Sequence, residues 1–230
     1  MTDHQTFDQY AEDYDLALAA GLSVSGESKD YFAFGRLAWL SGCLRRLQVQ
    51  PGSVMDFGCG TGSSVPFLLD LIGVETILGI DPSLKSLDVA KRMHGSDSIQ
   101  FLLSDQYQPS EQIDLAFCNG VFHHIPLSER AAACNYIYRS LRPNGLFALW
   151  ENNPWNPGTR YVMSRLPFDR DAITLSALEA QQMVRAAGFE VLRTDFLFLF
   201  PNSLRSLRWI EPHVSRLPFG AQYQVLCSKR

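Results

Sequence analysis

The sequence lacks any stretch of about 20 apolar residues, so nothing in it reads as a membrane span. It lacks a basic surplus. Twenty Lys and Arg stand against 24 Asp and Glu, a net charge of -4, which weighs against a nucleic-acid partner. The first residues, MTDHQTFDQY, lack the basic and apolar regions of a secretory leader, so a cytoplasmic location is expected. Cysteine is sparse and unpaired in pattern. Cys43, Cys59, Cys118, Cys134 and Cys227 are odd in number and never spaced C-x-x-C, which points to reduced, buried thiols rather than a disulfide or zinc framework. Charged residues are only 19% of the chain, too few for a disordered tail or a charged coiled coil.

What is present is apolar bulk. The chain is 46% hydrophobic and 12% aromatic over 230 residues, and a chain of this size buries roughly 70% of its unfolded surface in one core. The charge is uneven: residues 1 to 30 carry seven acids and one base, and residues 160 to 230 carry ten bases and six acids.

Periodicity divides the chain in two. Residues 7 to 20 (FDQYAEDYDLALAA) and about Asp30 to Leu47 read as helices, separated by a Gly/Ser loop, and Pro51-Gly52 closes this part. We take residues 1 to 50 as an N-terminal helical lid and 51 to 230 as the main domain. There, short apolar strands alternate with helices. Strands are expected at Val54–Phe57, Thr76–Ile80, Ile99–Leu103, Ile113–Cys118 and Leu146–Trp150, and helices at Ser63–Ile72, Ser83–Met93 and Ser128–Leu141. Such alternation implies βαβ units and a mainly parallel sheet. Residues 152 to 172, with three prolines, break the rhythm and read as an insertion. A helix (Leu175–Ala187), a strand ending in FLFLF, a short helix near 203 to 211 and a last strand (Ala221–Cys227) follow.

The most informative stretch is Val54-Met55-Asp56-Phe57-Gly58-Cys59-Gly60-Thr61-Gly62. A strand enters a turn with glycine at every second position, where positive φ and close backbone approach to a ligand are available. The spacing departs from the dinucleotide fingerprint, since Ser63 stands where a third Gly or Ala belongs. No Gly-Lys-Ser/Thr follows, so it is no phosphate-binding loop. Asp56 precedes the glycines, which suits a nucleoside without a pyrophosphate. Asp81, nineteen residues after Gly62, ends the next strand, the expected place for a carboxylate on ribose hydroxyls. Alone, Asp81 before Pro82 also suits a helix start. Ser104-Asp105 follows the third strand, where Asp105 can meet an adenine amino group or simply serve a turn. FCNGVFHHIP follows the fourth.

Taken together, VMDFGCGTG, GIDPS, LLSDQ, IDLAFCNGVFHHIP and LRPNGLFALWE resemble the motifs of the class I S-adenosylmethionine-dependent methyltransferases, in their small-molecule, type-11-like group. The resemblance is close over residues 50 to 151 and loose over 175 to 230. It implies an α/β, Rossmann-like seven-stranded sheet, order 3-2-1-4-5-7-6, with strand 7 antiparallel and helices on both faces. It implies S-adenosyl-L-methionine as cofactor, with Gly58, Gly60 and Gly62 beneath its methionine and ribose parts. Asp56 would steady that loop or meet the methionine amine through water. Asp81, beside Pro82, would hold the ribose and Asp105 the adenine. The backbone of Asn119 would accept from the amine. FDQYAEDYD resembles a lid helix whose Tyr14, or Tyr10, lies against the cofactor.

The reaction expected is methyl transfer to an O or N atom, less readily C, of a small-molecule acceptor at the carboxyl ends of strands 4 and 5. His123, His124 and Glu151 are base candidates; the bland reading of the pair is one packed and one exposed histidine. No metal is expected at His123-His124, because adjacent turn residues rarely converge on one ion and no carboxylate lies at ligand spacing. Within the insertion, Trp155, Arg160 and Tyr161, with Arg165 and Arg170 nearby, are expected to meet a flat or anionic acceptor. No nucleic acid or membrane partner is expected, and the oligomeric state is unassigned. Two other classes stay open: a binding protein of the same fold without catalysis, and a nicotinamide-dependent oxidoreductase, against which Ser63 speaks.

Overall fold

The computed structural model of the chain describes Gly21, residues 25 to 166, Asp169 and residues 172 to 230. The expected helix at 7 to 20, with Tyr10 and Tyr14, lies outside the described residues, as does Arg170.

Seven strands form one sheet in the order β3-β2-β1-β4-β5-β7-β6. They are β1 (Ser53–Phe57), β2 (Thr76–Asp81), β3 (Ile99–Leu103), β4 (Ile113–Asn119), β5 (Leu141–Asn152), β6 (Phe189–Leu197) and β7 (Gln222–Lys229). The pairings from β3 to β5 are parallel, and β7 runs antiparallel to both β5 and β6. The order and the reversed last strand are those the motifs imply.

The central strands are mostly apolar because both faces are covered. In β4, Leu115 and Phe117 enter one core with Leu37, Leu40 and Leu44 of helix α1 (Lys29–Leu47). Their neighbours Ala116 and Cys118 enter the other, with Cys134 and Ile137 of α4 (Leu127–Ser140) and Val184 of α6 (Ala177–Ala186). The two-residue period of a strand sorts its side chains this way. Helix α1 starts where the Ser28 side chain accepts from the Tyr31 N–H and buries Ala33, Leu37, Leu40 and Leu44, a stripe at helical spacing. It therefore belongs to the core of the sheet, although it falls within the first 50 residues. A Ser176–Glu179 capping box starts α6.

Three segments differ from expectation. The helix expected at Ser63–Ile72 is only α2 (Val65–Phe67) running into a π-helical turn, Leu68–Ile72. The glycine turn extends to Ser64, and Gly73 closes the far end with its N–H on the Leu68 and Leu69 carbonyls. Strand β5 begins at Leu141 rather than Leu146, because Pro143-Asn144-Gly145 bulges out between the Ile113–Leu141 and Leu115–Leu146 pairs. The FLFLF strand stops at Leu197. Phe198 takes φ +61° and folds back on α1, where a Cβ on Gly35 would stand 2.6 Å from its ring. Glycine is required there for the ring to sit so close. The remaining helices are α3 (Leu84–His94), α5 (Pro157–Met163), a 3-10 segment (Asn202–Ile210) and α7 (Glu211–Val214). Among the described residues, no helix is long and apolar enough to cross a membrane.

Candidate cofactor and acceptor site

The glycine turn is held against the end of β2. The N–H groups of Gly58 and Cys59 both donate to the Ile80 carbonyl, at 2.7 and 3.1 Å. Gly60 donates its N–H to Asp81 Oδ2 at 2.9 Å, and Ser83 donates to Asp81 Oδ1 at 2.8 Å. Asp81 thus fixes the turn and also precedes α3, whose N-cap is Ser83.

Gly58, Gly60 and Gly62 take φ of +75°, +52° and +78°. They are not equivalent. A Cβ on Gly58 would stand 2.3 Å from Val121 Cγ2, and one on Gly62 would stand 3.0 Å from His94, whereas one on Gly60 would meet no atom within 4 Å. The turn is therefore closed by protein at both ends and open at its middle.

Two buried acceptors lie next to this opening in the fold. Asp56, at the end of β1, is buried, and its Oδ2 has no hydrogen-bond partner. Burial, and secondly the Asp81 charge, push its carboxyl up to about 7, against smaller pulls from Arg36 and Ser64. Asn119, at the end of β4, likewise has Oδ1 buried without a partner. Such atoms are costly unless a ligand completes them. An open cradle with two unsatisfied acceptors fits a nucleoside that carries a cationic amine. Asp105 is exposed and stands two residues past Leu103, the β3 partner of Asp81, so it borders the same edge. Pro82 is exposed between Asp81 and Ser83. Tyr14 lies outside the described residues.

One residue beyond, the chain passes to a second space. A cavity of about 360 Å³ lies over the carboxyl ends of β4 and β5 and is lined by Asn119, Gly120, His123 and His124. Its apolar wall includes Tyr31 and Phe32 of α1, Val162 and Met163 of α5, Leu166 and Phe198. Val121 touches the glycine turn while Gly120 and His123 line the cavity, so a single turn separates the two spaces.

The polar end of the cavity is a buried network. Glu151, 1% exposed, accepts from the Phe122 N–H at 2.7 Å and lies 2.6 Å from His123 Nδ1 through its other oxygen. His123 Nε2 stands 3.6 Å from Asp169 Oδ1, and His124 Nε2 stands 3.4 Å from the same oxygen. Burial alone would push His123 down, but Glu151 and Asp169 override it and raise His123 to about 10. Burial, then the neighbouring His123 charge, lower His124 to about 4. Burial pushes Glu151 up, yet His123 and the Phe122 N–H outweigh it and hold the carboxyl below its usual range.

This network corrects one expectation. A carboxylate does accompany the two histidines: Asp169, far downstream, folds back onto them. The Ile173 N–H donates to the His123 carbonyl at 2.9 Å, and the Ala172 N–H donates to the Asp169 carbonyl, so backbone bonds pin the segment. Asp169 was not among the residues singled out from sequence. The three base candidates His123, His124 and Glu151 do come together. Trp155, Arg160 and Tyr161 do not join them. Trp155 is 72% and Tyr161 46% exposed, Arg160 is exposed, and none lines the cavity. Helix α5 turns Gly158, Thr159, Val162 and Met163 inward instead.

The five cysteines are buried and unpaired. Burial pushes the thiols of Cys59, Cys118 and Cys227 well above their usual range, which leaves no thiolate nucleophile at the turn.

Comparison with known proteins agrees with the geometry. Residues 55–149 match a family described as a methyltransferase domain. A trans-aconitate 2-methyltransferase of Rhizobium rhizogenes (strain K84 / ATCC BAA-868) is 22% identical over 176 residues, covering 68% of this chain and 66% of that one. A malonyl-[acyl-carrier protein] O-methyltransferase 2 of Coxiella burnetii (strain RSA 493 / Nine Mile phase I) is 26% identical over 183 residues, covering 73% and 67%. Other trans-aconitate 2-methyltransferases are matched over as little as 28% of their length. Among solved structures, an S-adenosylmethionine-dependent methyltransferase of Thermotoga maritima superposes with a TM-score of 0.65 at 20% identity, over 97% of this chain and 98% of that one. The matched span runs from the middle of β1 into β5 and so contains the open glycine turn, Asp56, Asp81 and Asn119. Over the span that holds the glycine turn the chain is similar to a methyltransferase domain, and its fold is that of an S-adenosylmethionine-dependent methyltransferase of known structure.

Proposed function

We propose that the chain moves the methyl group of S-adenosylmethionine to an oxygen or nitrogen atom of a small molecule held in the 360 Å³ cavity. The observation that carries this reading is the single turn, Gly120 to His124, shared by the glycine cradle and the cavity. A donor in one and an acceptor in the other would meet there. The cavity volume is that of a small-molecule site, and the trans-aconitate and acyl-carrier-bound malonyl groups named for the relatives are small carboxylic acceptors.

When bound, the cofactor supplies a methyl carbon made electrophilic by its sulfonium. The chain supplies alignment, which accounts for roughly 7 to 11 kcal/mol of barrier lowering in well-oriented reactions. Asp81 orients the ribose, the middle of the turn admits the chain of the cofactor, and Asn119 and Asp56 receive the amine. Tyr31, Phe32, Met163 and Phe198 exclude water around the acceptor. His123, with its Nδ1 held by Glu151, and His124 present ring nitrogens to the acceptor atom. His123 already carries both ring protons at neutral pH, so any acceptor proton would pass to His124, whose ring is held neutral.

Asp81→Ala should weaken S-adenosylhomocysteine binding roughly ten- to a hundred-fold. Charge-assisted hydrogen bonds contribute about 1.5 to 3 kcal/mol each, and each 1.4 kcal/mol is tenfold. Calorimetry on the folded variant measures it, and an unchanged affinity would remove Asp81 from the ribose. Affinity should also depend on pH through Asp56. Its carboxyl, pushed up to about 7, is mostly protonated at pH 6 and mostly ionised at pH 8. A cationic amine nearby favours the ionised form, so affinity should rise by up to about tenfold over that range. Binding at pH 7 should release a proton, visible as a buffer-dependent heat. An affinity flat from pH 6 to 8 would place the amine away from Asp56. The function itself is tested by single-turnover transfer from labelled S-adenosylmethionine to a panel of small carboxylic, phenolic and amine acceptors. Tight cofactor binding with no transfer to any of them would favour the non-catalytic reading.

A further inference from the structure

The network at the polar end of the cavity has a geometry that methyl transfer by alignment does not require. One atom each of His123, His124 and Asp169 lies within 4.8 Å of the others. Two of the separations are 3.6 and 3.4 Å. Ligand atoms at about 2.0 to 2.1 Å from a tetrahedral zinc ion stand roughly 3.3 Å apart, so a small inward movement would complete three bonds. The donor set is two imidazoles and one carboxylate, which suits zinc and the neighbouring first-row divalent ions rather than magnesium or calcium.

A second observation points the same way. His123 Nδ1 sits 2.6 Å from the carboxylate of Glu151, itself 1% exposed. That bond fixes the tautomer with the proton on Nδ1 and turns Nε2 toward Asp169 and His124. A carboxylate behind a histidine in this way is the usual support of a metal-bound imidazole. Glu151 is in turn fixed by the Phe122 N–H at 2.7 Å, and Asp169 is pinned by the backbone bonds that join Ala172 and Ile173 to the same turn. All three ligand residues line the cavity, which leaves a fourth position open to whatever occupies it.

We propose that His123 Nε2, His124 Nε2 and Asp169 Oδ1 form a three-ligand site for a divalent transition ion of the zinc type, with its open position facing the acceptor cavity. Loading replaces the proton on His123 Nε2 with the metal and leaves Nδ1–H on Glu151. An acceptor with an oxygen, nitrogen or sulfur donor would take the fourth position, where the ion lowers the pKa of the bound atom. The site would then select acceptors that can ligate. This inference stands on the ligand geometry and does not depend on methyl transfer.

The test uses the full chain stripped with chelator and dialysed against zinc, with bound metal measured by elemental analysis. One zinc per chain is expected. His124→Ala and Asp169→Asn should each lose it, and Glu151→Gln should weaken it roughly 10- to 100-fold. Cobalt in place of zinc should give visible absorption of a four- or five-coordinate ion in the wild type and not in His124→Ala. S-adenosylhomocysteine binding by calorimetry, run on the same samples, reports whether each variant is folded and whether the cofactor assignment holds independently. A wild-type chain that binds the cofactor ligand yet takes up no stoichiometric zinc overturns the site. So does full zinc retention in both His124→Ala and Asp169→Asn.

Discussion

Gly60→Val is expected to abolish cofactor binding, a loss of at least a hundred-fold, in a protein that still folds. The expectation comes from the asymmetry of the turn. A side chain at Gly60 meets no protein atom within 4 Å, so nothing in the core must move. The cost to the fold is the φ of +52°, which a β-branched residue adopts at roughly 1 to 3 kcal/mol. The isopropyl group would then stand in the space assigned to the cofactor. Gly58→Val is the contrasting case. Its Cβ would stand 2.3 Å from Val121 Cγ2, so that change should lower the melting temperature as well as binding. Thermal melts with calorimetric titration separate the two. A Gly60→Val protein that binds S-adenosylhomocysteine like the wild type would mean that the open middle of the turn is not the cofactor seat.

Glu151→Ala is expected to destabilise the fold by about 3 to 5 kcal/mol, the usual cost of removing one partner from a buried ion pair. Glu151 satisfies His123 Nδ1 and the Phe122 N–H together. Alanine would leave both buried without an acceptor and would open a cavity at the end of β5. For a chain of this length the melting temperature should fall by about 10 °C. Glu151→Gln keeps the shape and one acceptor oxygen, so it should lose clearly less. Equal melting temperatures for wild type and Glu151→Ala would show that His123 is not supported by this carboxylate.

The central strands were legible because they are covered on both faces. Val54 to Phe57 and Ile113 to Cys118 are apolar but for one aspartate each, Asp56 and Asp114, and a buried parallel strand accounts for such short runs between helices. The sheet order came from the motif resemblance, since periodicity does not order strands. Asp56 and Asp81 were legible because each stands at a strand end at a set distance from the glycines, two residues before Gly58 and nineteen after Gly62. Asp169 was not, because its contact with His123 and His124 depends on the insertion folding back across the cavity, and nothing periodic in residues 152 to 172 reports that. Trp155, Arg160 and Tyr161 were chosen by residue type. The rotation of α5 decided otherwise, and the signal that reports it is spacing: Gly158, Thr159, Val162 and Met163 form one small and apolar helical face. The short α2 was missed because its residues keep apolar periodicity while the glycine turn consumes the expected first helical turn.

The most direct measurement is a crystal structure of the chain with S-adenosylhomocysteine. The account predicts the ribose hydroxyls on Asp81, the middle of the ligand across Gly60, the amine at Asn119 and Asp56, and the sulfur directed toward the cavity bounded by His123 and Phe198. A ligand seated away from the glycine turn, or one whose sulfur faces away from that cavity, would contradict it.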